Sequence, residues 1–281
     1  HRVRHPNRLQ GWADKIVRKR NIHRQAAWLD REEPNFVVIS QSCQDGVGWG
    51  RLCLNRGIPF CIITQVVAEF YWPKDDLADD AAEVMQSAER CFFVSQHNVE
   101  LTSRQLGIEL TNAELAWNPF AVARNTDLPW PDETTLRIAC VGRLDPRHKG
   151  QDILFQALAE PQWRDRPIKL SLFGVGACEQ SLRRLADLYQ LSDVHFSGQV
   201  RHIETVWRDH HALVLASRVE GMPLAAIEAM VCARPCVVTD VGGNAELGEH
   251  GFSGFVADKP SGPAFSRALE HLWARRSNLE E

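Results

Sequence analysis

Short apolar runs recur along the chain and alternate with amphipathic stretches. The first clear ones are Phe36-Val37-Val38-Ile39, Phe60-Cys61-Ile62-Ile63, Cys91-Phe92-Phe93-Val94 and Glu114-Leu115-Ala116-Trp117. Runs this short and this apolar suit parallel strands buried on both faces. The patterns between them predict helices near 46–56, 75–89 and 97–106, the second opening on Asp75 and Asp76, whose charge suits a helix start. Residues 118–135 carry Pro119, Pro129 and Pro131 and little periodicity, as an interdomain linker would. Strand patterns then resume at 137–141, 169–173, 194–196, 213–216, 236–239 and 254–256. Helices are expected near 149–159, 178–190, 203–209, 222–233 and 263–274. Alternating strands and helices on both sides of a proline-rich linker predict two α/β domains, 1–133 and 134–281, facing across a ligand cleft.

Composition narrows this only a little. The chain has 281 residues, 44% hydrophobic and 24% charged, with a net charge of −4. That balance is ordinary for a globular protein and gives no global reason to expect nucleic acid. No apolar run approaches the roughly 20 residues of a membrane span, and no signal-peptide pattern is present, so a cytoplasmic location is expected. The eight cysteines are dispersed, with Cys61, Cys91, Cys140 and Cys236 in apolar surroundings. They read as reduced core residues, and no metal site is expected. Residues 1–31 are locally basic, with Trp12, Ile16 and Trp28 as apolar anchors. Two readings stay open: peripheral contact with an anionic membrane surface, and the preferred one, a solvated helix face with its apolar side in the core.

Two segments carry candidate chemistry. Residues 220–228 read Glu-Gly-Met-Pro-Leu-Ala-Ala-Ile-Glu. Gly221 allows close backbone approach, and Pro223 suits a first helical position. The helix start then favours an anion. Glu220 is expected at the mouth of the turn and Glu228 deeper, an arrangement suited to a ligand anionic in the middle and hydroxyl-rich at both ends. In the other segment, residues 136–150, a short strand runs into Gly142-Arg143 and then Lys149-Gly150. The carboxyl end of such a strand is where open α/β sheets bind ligands. Arg and Lys there make a reasonable pair for a diphosphate. Each segment alone also fits an ordinary capped helix or solvated surface charges.

Together they resemble the retaining glycosyltransferases of family 4, which have the GT-B fold. The pattern V-G-R-L, K-G and E-G-x-P-L-x-x-x-E-A-M stands here as Val141-Gly142-Arg143-Leu144, Lys149-Gly150 and Glu220 through Met230. Leu172 to Gly176, Val194 to Gly198, Pro235 to Gly243 and Gly251 to Val256 match the intermediate and last strand regions. The resemblance is dense from about 136 to 258 and looser at Phe92 to Ser95 and Trp117 to Phe120.

It implies two Rossmann-like domains. The family's opening strand and glycine-rich loop are not found, so the first domain is expected to be incomplete, in a fragment or short divergent member. It also implies transfer of a sugar from a nucleoside diphosphate-sugar, a substrate and not a cofactor, to a carbohydrate, lipid-linked or small-molecule acceptor hydroxyl. Arg143, Lys149 and Glu220 are the implied catalytic residues. Gly142, Gly174, Val200, Arg201, Gly221, Met222, Pro223, Leu224 and Glu228 are implied at the donor. Glu228 would hold the ribose and Leu224 N–H a phosphate. The histidine the family often places after its third apolar strand is replaced by Thr64-Gln65-Val66, which leaves Gln65, Glu69 and His97 as acceptor-side candidates. Two alternatives stay open, a non-catalytic GT-B scaffold and a GT-B epimerase. His148 and the His210-His211 pair are read as solvated or capping residues.

Overall fold

A computed structural model describes residues 22–122, 128–131, 134–248 and 251–279. Most of the basic amino-terminal segment, residues 1–21, and the membrane contact considered for it, lie outside the described residues. The chain divides into two compact units. One comprises residues up to Gln65 with Phe70–Phe93 and Val99–Ala116, and the other Val66–Glu69, Val94–Asn98 and Trp117–Glu281.

The first unit opens with helix α1 (22–32). It continues through β1 (Val37–Ser42), α2 (Val47–Leu54), β2 (Phe60–Val66), α3 (Asp75–Ser87), β3 (Arg90–Phe93), α4 (Gln96–Leu106) and β4 (Ala113–Leu115). The sheet order is β1-β2-β3-β4, with β2, β3 and β4 paired in parallel. Its core collects Leu29, Ile39, Cys53, Phe60, Ile62 and Phe93. β2 is buried along most of its length, as its apolar run suggests, whereas β1 alternates buried and exposed positions and β4 is largely exposed. Trp28 meets Trp49 edge-on with ring centroids 5.8 Å apart, and Leu29 is buried, which fastens α1 to the unit.

The second unit runs β5 (Leu136–Val141), α5 (Pro146–Lys149), α6 (Gln151–Leu158), β6 (Ile168–Phe173), α7 (Glu179–Leu188), β7 (Val194–Gly198), α8 (Glu204–Asp209), β8 (Ala212–Leu215), α9 (Leu224–Val231), β9 (Cys236–Thr239), β10 (Gly254–Ala257) and α10 (Gly262–Ala274). Its six strands lie in the order β10-β9-β8-β5-β6-β7, all parallel. β5 pairs with β6 from Leu136↔Ile168 to Val141↔Phe173, and with β8 at Ile138↔Ala212. The chain therefore builds outward from β5 in one direction and then from β8 in the other. That reversal is the topological switch point of a doubly wound sheet, beyond whose carboxyl ends a crevice opens.

Two local details differ from the sequence expectation. The helix expected near 149–159 is α6, and a further short helix, α5, precedes it, the two separated by Gly150 at φ 61. His210 and His211 are buried at the amino end of β8 and are not solvated. His211 Nδ1 accepts the backbone N–H of Arg137 at 2.9 Å, filling a place at the end of the ladder. Burial holds His210 below the ordinary histidine pKa, countered by its hydrogen bond with Val206 O.

The described part of the proline-rich stretch packs on the second unit. Arg234, 2% exposed, donates to the carbonyls of Trp207, His210, Cys232 and Pro129, and its guanidinium lies 4.6 Å over the Trp130 ring. A buried guanidinium with its donors so occupied holds backbone segments together without needing solvent.

Gly150 shows how tightly the switch point is built. A Cβ there would lie 1.8 Å from the Ala216 carbonyl oxygen, and Gly174 likewise would meet Gly142 O at 2.0 Å. We expect Gly150→Ala to destabilise the protein by roughly 2–4 kcal/mol in urea unfolding, combining left-handed strain with an unavoidable clash. Gly198, at φ 70 with open space around it, should cost only about 1 kcal/mol on the same substitution.

Candidate functional site

Three strand exits meet at the switch point. After β5 the chain turns through Gly142-Arg143-Leu144, with Gly142 N–H donating to Phe173 O and Leu144 N–H to Val175 O. Gln151, buried at the start of α6, donates to Arg143 O at 2.7 Å. The backbone at Arg143 is thereby fixed while its side chain stays exposed.

The short α5 follows. The His148 ring lies 2.6 Å from Asp145 and holds that carboxyl below its ordinary pKa, with the charge of Arg143 acting in the same direction. His148 O in turn accepts the N–H groups of Arg218 and Val219 beyond β8. Arg218 forms a two-toothed ion pair with Asp152 at 2.6 and 2.7 Å and donates to Pro146 O. These ties bind the β8 exit to α5 and bring together two side chains 71 residues apart. Lys149 Nζ donates to both oxygens of Glu220, at 2.7 and 2.9 Å. Ser217 Oγ donates to Glu220 Oε1 at 2.7 Å.

The third exit, after β9, closes over the second. Gly243 N–H donates to Gly221 O at 2.7 Å. Gly242, at φ 54, has no room for a Cβ, which would lie 1.9 Å from Glu220 O. Met222 and Pro223 then lead into α9, where Ala226 and Ile227 donate to Pro223 O. The N–H groups of Leu224 and Ala225 stand ahead of that ladder, a helix start that favours an anion. The site thus combines an exposed arginine, a lysine held by a buried carboxylate and a helix amino end. Chemically it can hold a doubly charged anion with hydroxyl groups beside it.

The model of a family described as glycosyl transferases group 1 matches residues 135–275, half of the 281-residue chain. The chain belongs to the group 1 glycosyl transferases. Among similar proteins is an uncharacterized glycosyltransferase of Methanocaldococcus jannaschii, 31% identical over 121 residues, 42% of this chain and 33% of the relative. Another is a GDP-mannose-dependent α-(1-6)-phosphatidylinositol monomannoside mannosyltransferase of Mycolicibacterium smegmatis, 32% identical over 149 residues, 49% of this chain and 38% of the relative. The matched part thus spans about a third of the first and under two fifths of the second. The fold is also that of Anabaena HepE solved with UDP, with a TM-score of 0.72 at 18% identity, covering 92% of this chain and 76% of that one. The two parallel α/β units with such neighbours are the GT-B architecture expected from the motifs.

In this glycosyltransferase-family chain, most of the residues singled out by sequence lie around the three exits. Arg143, Lys149, Glu220, Gly142 and Gly221 to Leu224 are contiguous there. Gly174 belongs to the same cluster, since its N–H donates to Gly198 O and its missing Cβ admits Gly142. Val200 and Arg201 follow β7, Val200 half-buried against the core and Arg201 exposed. His97 Nε2 lies 3.6 Å from Glu69 Oε1, and Glu246 of the β9 loop accepts the N–H groups of Gln96 and His97. Gln65, on β2, belongs to the first unit.

Two expectations are corrected by position. Pro223 is the N-cap, at φ −75 and ψ 105, and the helix begins at Leu224. The order of depth of the two glutamates is reversed: Glu220 is 6% exposed, while Glu228 is half-buried. Lys149, in addition, is already engaged by Glu220. Ser217, Asp152, Arg218 and Glu246 were not singled out by sequence. Only Ser217, three residues ahead of Glu220 on the same buried run, offered any signal.

Burial raises the Glu228 pKa above the ordinary carboxylate value, opposed by a hydrogen bond from Ala121 N–H and helped by the nearby charge of Glu204. Burial also pushes the thiol of Cys140, beneath the site, up to about 12, so it is an inert core group. Among the described residues no three His, Cys, Asp or Glu side chains group as metal ligands. A raised folded-state carboxyl pKa contributes stability below the unfolded value and loses it as pH rises through the folded one. Glu228→Gln should therefore raise the melting temperature at neutral pH. The gain should fade as pH falls toward the ordinary Glu range, which paired melting curves at pH 4 and 7 will read.

Proposed function

We propose that the chain transfers a sugar from a nucleoside diphosphate-sugar to an acceptor hydroxyl, with retention at the anomeric carbon. The observation that carries this reading is the Lys149–Glu220 pair beside exposed Arg143 and the amino end of α9, all at the switch point. The central difficulty of the reaction is negative charge growing on the leaving diphosphate. Arg143, a free Lys149 hydrogen and the Leu224 N–H address it with charge and dipole, so the scheme routes no step through a metal. Glu220 and the backbone of Gly221, Met222 and Pro223 meet sugar hydroxyls. Glu228 exchanges its Ala121 hydrogen bond for those of the ribose. Gly142 and Gly174 give the backbone room to approach, and Val200 and Arg201 border the base.

No carboxylate in this scheme attacks the anomeric carbon. The acceptor hydroxyl instead adds from the face that the diphosphate leaves, and its proton passes to a departing phosphate oxygen. His97, Glu69 and Gln65 are the acceptor-side candidates. The M. smegmatis relative, by its name, uses GDP-mannose and a lipid-linked acceptor, and the Anabaena structure holds UDP. Both nucleotides therefore belong in the test. Among the described residues no helix is long and apolar enough to cross a membrane.

A thermal-shift panel of UDP, GDP and their sugar conjugates should stabilise the protein with one nucleoside diphosphate, by preferential binding to the folded state. Radiolabelled transfer on the same preparation separates turnover from binding alone. Nucleotide binding without transfer to any acceptor would favour a scaffold, and no nucleotide binding would sink the donor-site reading. Arg143→Ala should weaken the bound diphosphate about 10- to 100-fold, the scale of one charge-assisted contact. Because the side chain is exposed, its melting temperature should stay within about 1 °C of wild type.

A further inference from the structure

The carboxylate of Glu220 has about four accepting positions, and the structure fills three of them. Among the described residues, Oε1 receives Ser217 Oγ at 2.7 Å and Lys149 Nζ at 2.7 Å, while Oε2 receives only Lys149 at 2.9 Å. One lone pair of Oε2 is left. Ser217 is fully buried, so its hydroxyl has no solvent alternative to this bond.

Ser217 is itself held from behind. Thr239 Oγ1, at the end of β9, donates to Ser217 O at 2.6 Å. Asn244 Nδ2 donates to Thr239 O at 2.8 Å. Thr239 and Asn244 are buried as well. The bonds run in one direction, from Asn244 through Thr239 and Ser217 to Glu220, and cross from β9 to β8 behind the site. A carboxylate can only accept, so the Ser217 proton must point at Oε1. Each bond joins buried groups, so loss of one hydroxyl loosens the group it holds.

We propose that Ser217 is a positioning residue that fixes the Glu220 carboxylate, so that Oε2 alone remains to accept a hydroxyl of the donor sugar. The inference rests on the glycosyl-transfer reading above and adds to it a residue that touches no substrate. Without the Ser217 hydroxyl, Glu220 is held by Lys149 alone. The carboxylate can then rotate about its terminal bond and present either oxygen. The diphosphate contacts, made by Arg143, Lys149 and the α9 start, do not pass through Ser217.

The test compares UDP with UDP-glucose, and GDP with GDP-mannose, by calorimetry on wild type, Ser217→Ala and Thr239→Val. For whichever nucleotide wild type binds, Ser217→Ala should keep diphosphate affinity within about twofold. It should lose about tenfold in affinity for the sugar conjugate, the scale of one hydrogen bond to a charged group. Thr239→Val, which keeps side-chain shape and acts one bond further back, should show the same split at smaller size. It also carries the test if Ser217→Ala does not fold. Equal loss of both ligands, or no loss of either, would overturn the positioning role and leave the donor site standing. Failure of wild type to bind any of the four would overturn the donor site and this role together.

Discussion

The second unit is organised around an ion pair that the sheet topology makes possible. β5 and β8 are neighbours in space although β6 and β7 come between them in sequence. Whatever follows β5 therefore faces whatever follows β8. Here that juxtaposition sets Lys149 on Glu220, and the rest of the local structure serves it. Gly150 lets α5 end against Ala216, His148 O takes the two N–H groups beyond β8, and Arg218 grips Asp152. Each is a backbone or charged contact with little tolerance, and together they fix where the two charges meet.

Such a pair is a poor device for stability. The Glu220 side chain is 6% exposed and that of Lys149 20%, so both charges have left much of their hydration behind. The desolvation cost of burying an ion pair often cancels the attraction, and apolar residues of similar volume serve stability as well or better. The core just beneath, with Ile138, Cys140 and Leu213, shows that the fold can fill this volume with apolar groups. A lysine and glutamate at this position make sense as a site whose charges are preorganised before a ligand arrives. An incoming diphosphate then meets a cation already oriented, and the reorganisation that water would have required is avoided.

The architecture was legible because it rests on local pattern. Every apolar run from Phe60 to Val256 read as a strand overlaps one, most clearly at β8 and β9, where burial on both faces leaves no polar alternation to confuse. The charged residues Arg143, Lys149 and Glu220 were legible through their spacing relative to strand ends. Their relations were not. That Glu220 lies deeper than Glu228 depends on the β9 loop closing over Gly221, and Gly242 and Gly243 reveal that only once their missing Cβ atoms are set against the β8 exit. His211 read as a solvated or capping residue because nothing in the sequence says that the N–H of Arg137 needs its ring. Ser217 looked like the end of an apolar strand, and its meaning comes wholly from one hydrogen bond.

The same comparison explains why glycine recurs at the strand exits. Gly150, Gly174 and Gly242 each face a carbonyl oxygen of a neighbouring exit at a distance no Cβ could share. Backbone N–H groups of the same loops, at Gly142, Gly174 and Gly243, donate to Phe173 O, Gly198 O and Gly221 O and tie neighbouring exits together. The exits thus bond to one another through backbone and leave Arg143 and the first N–H groups of α9 uncommitted. A surface built this way presents a cation and helix-start dipoles on a frame tied by backbone hydrogen bonds. That polarity follows from the chain's packing, and it is what an anionic ligand at the switch point requires.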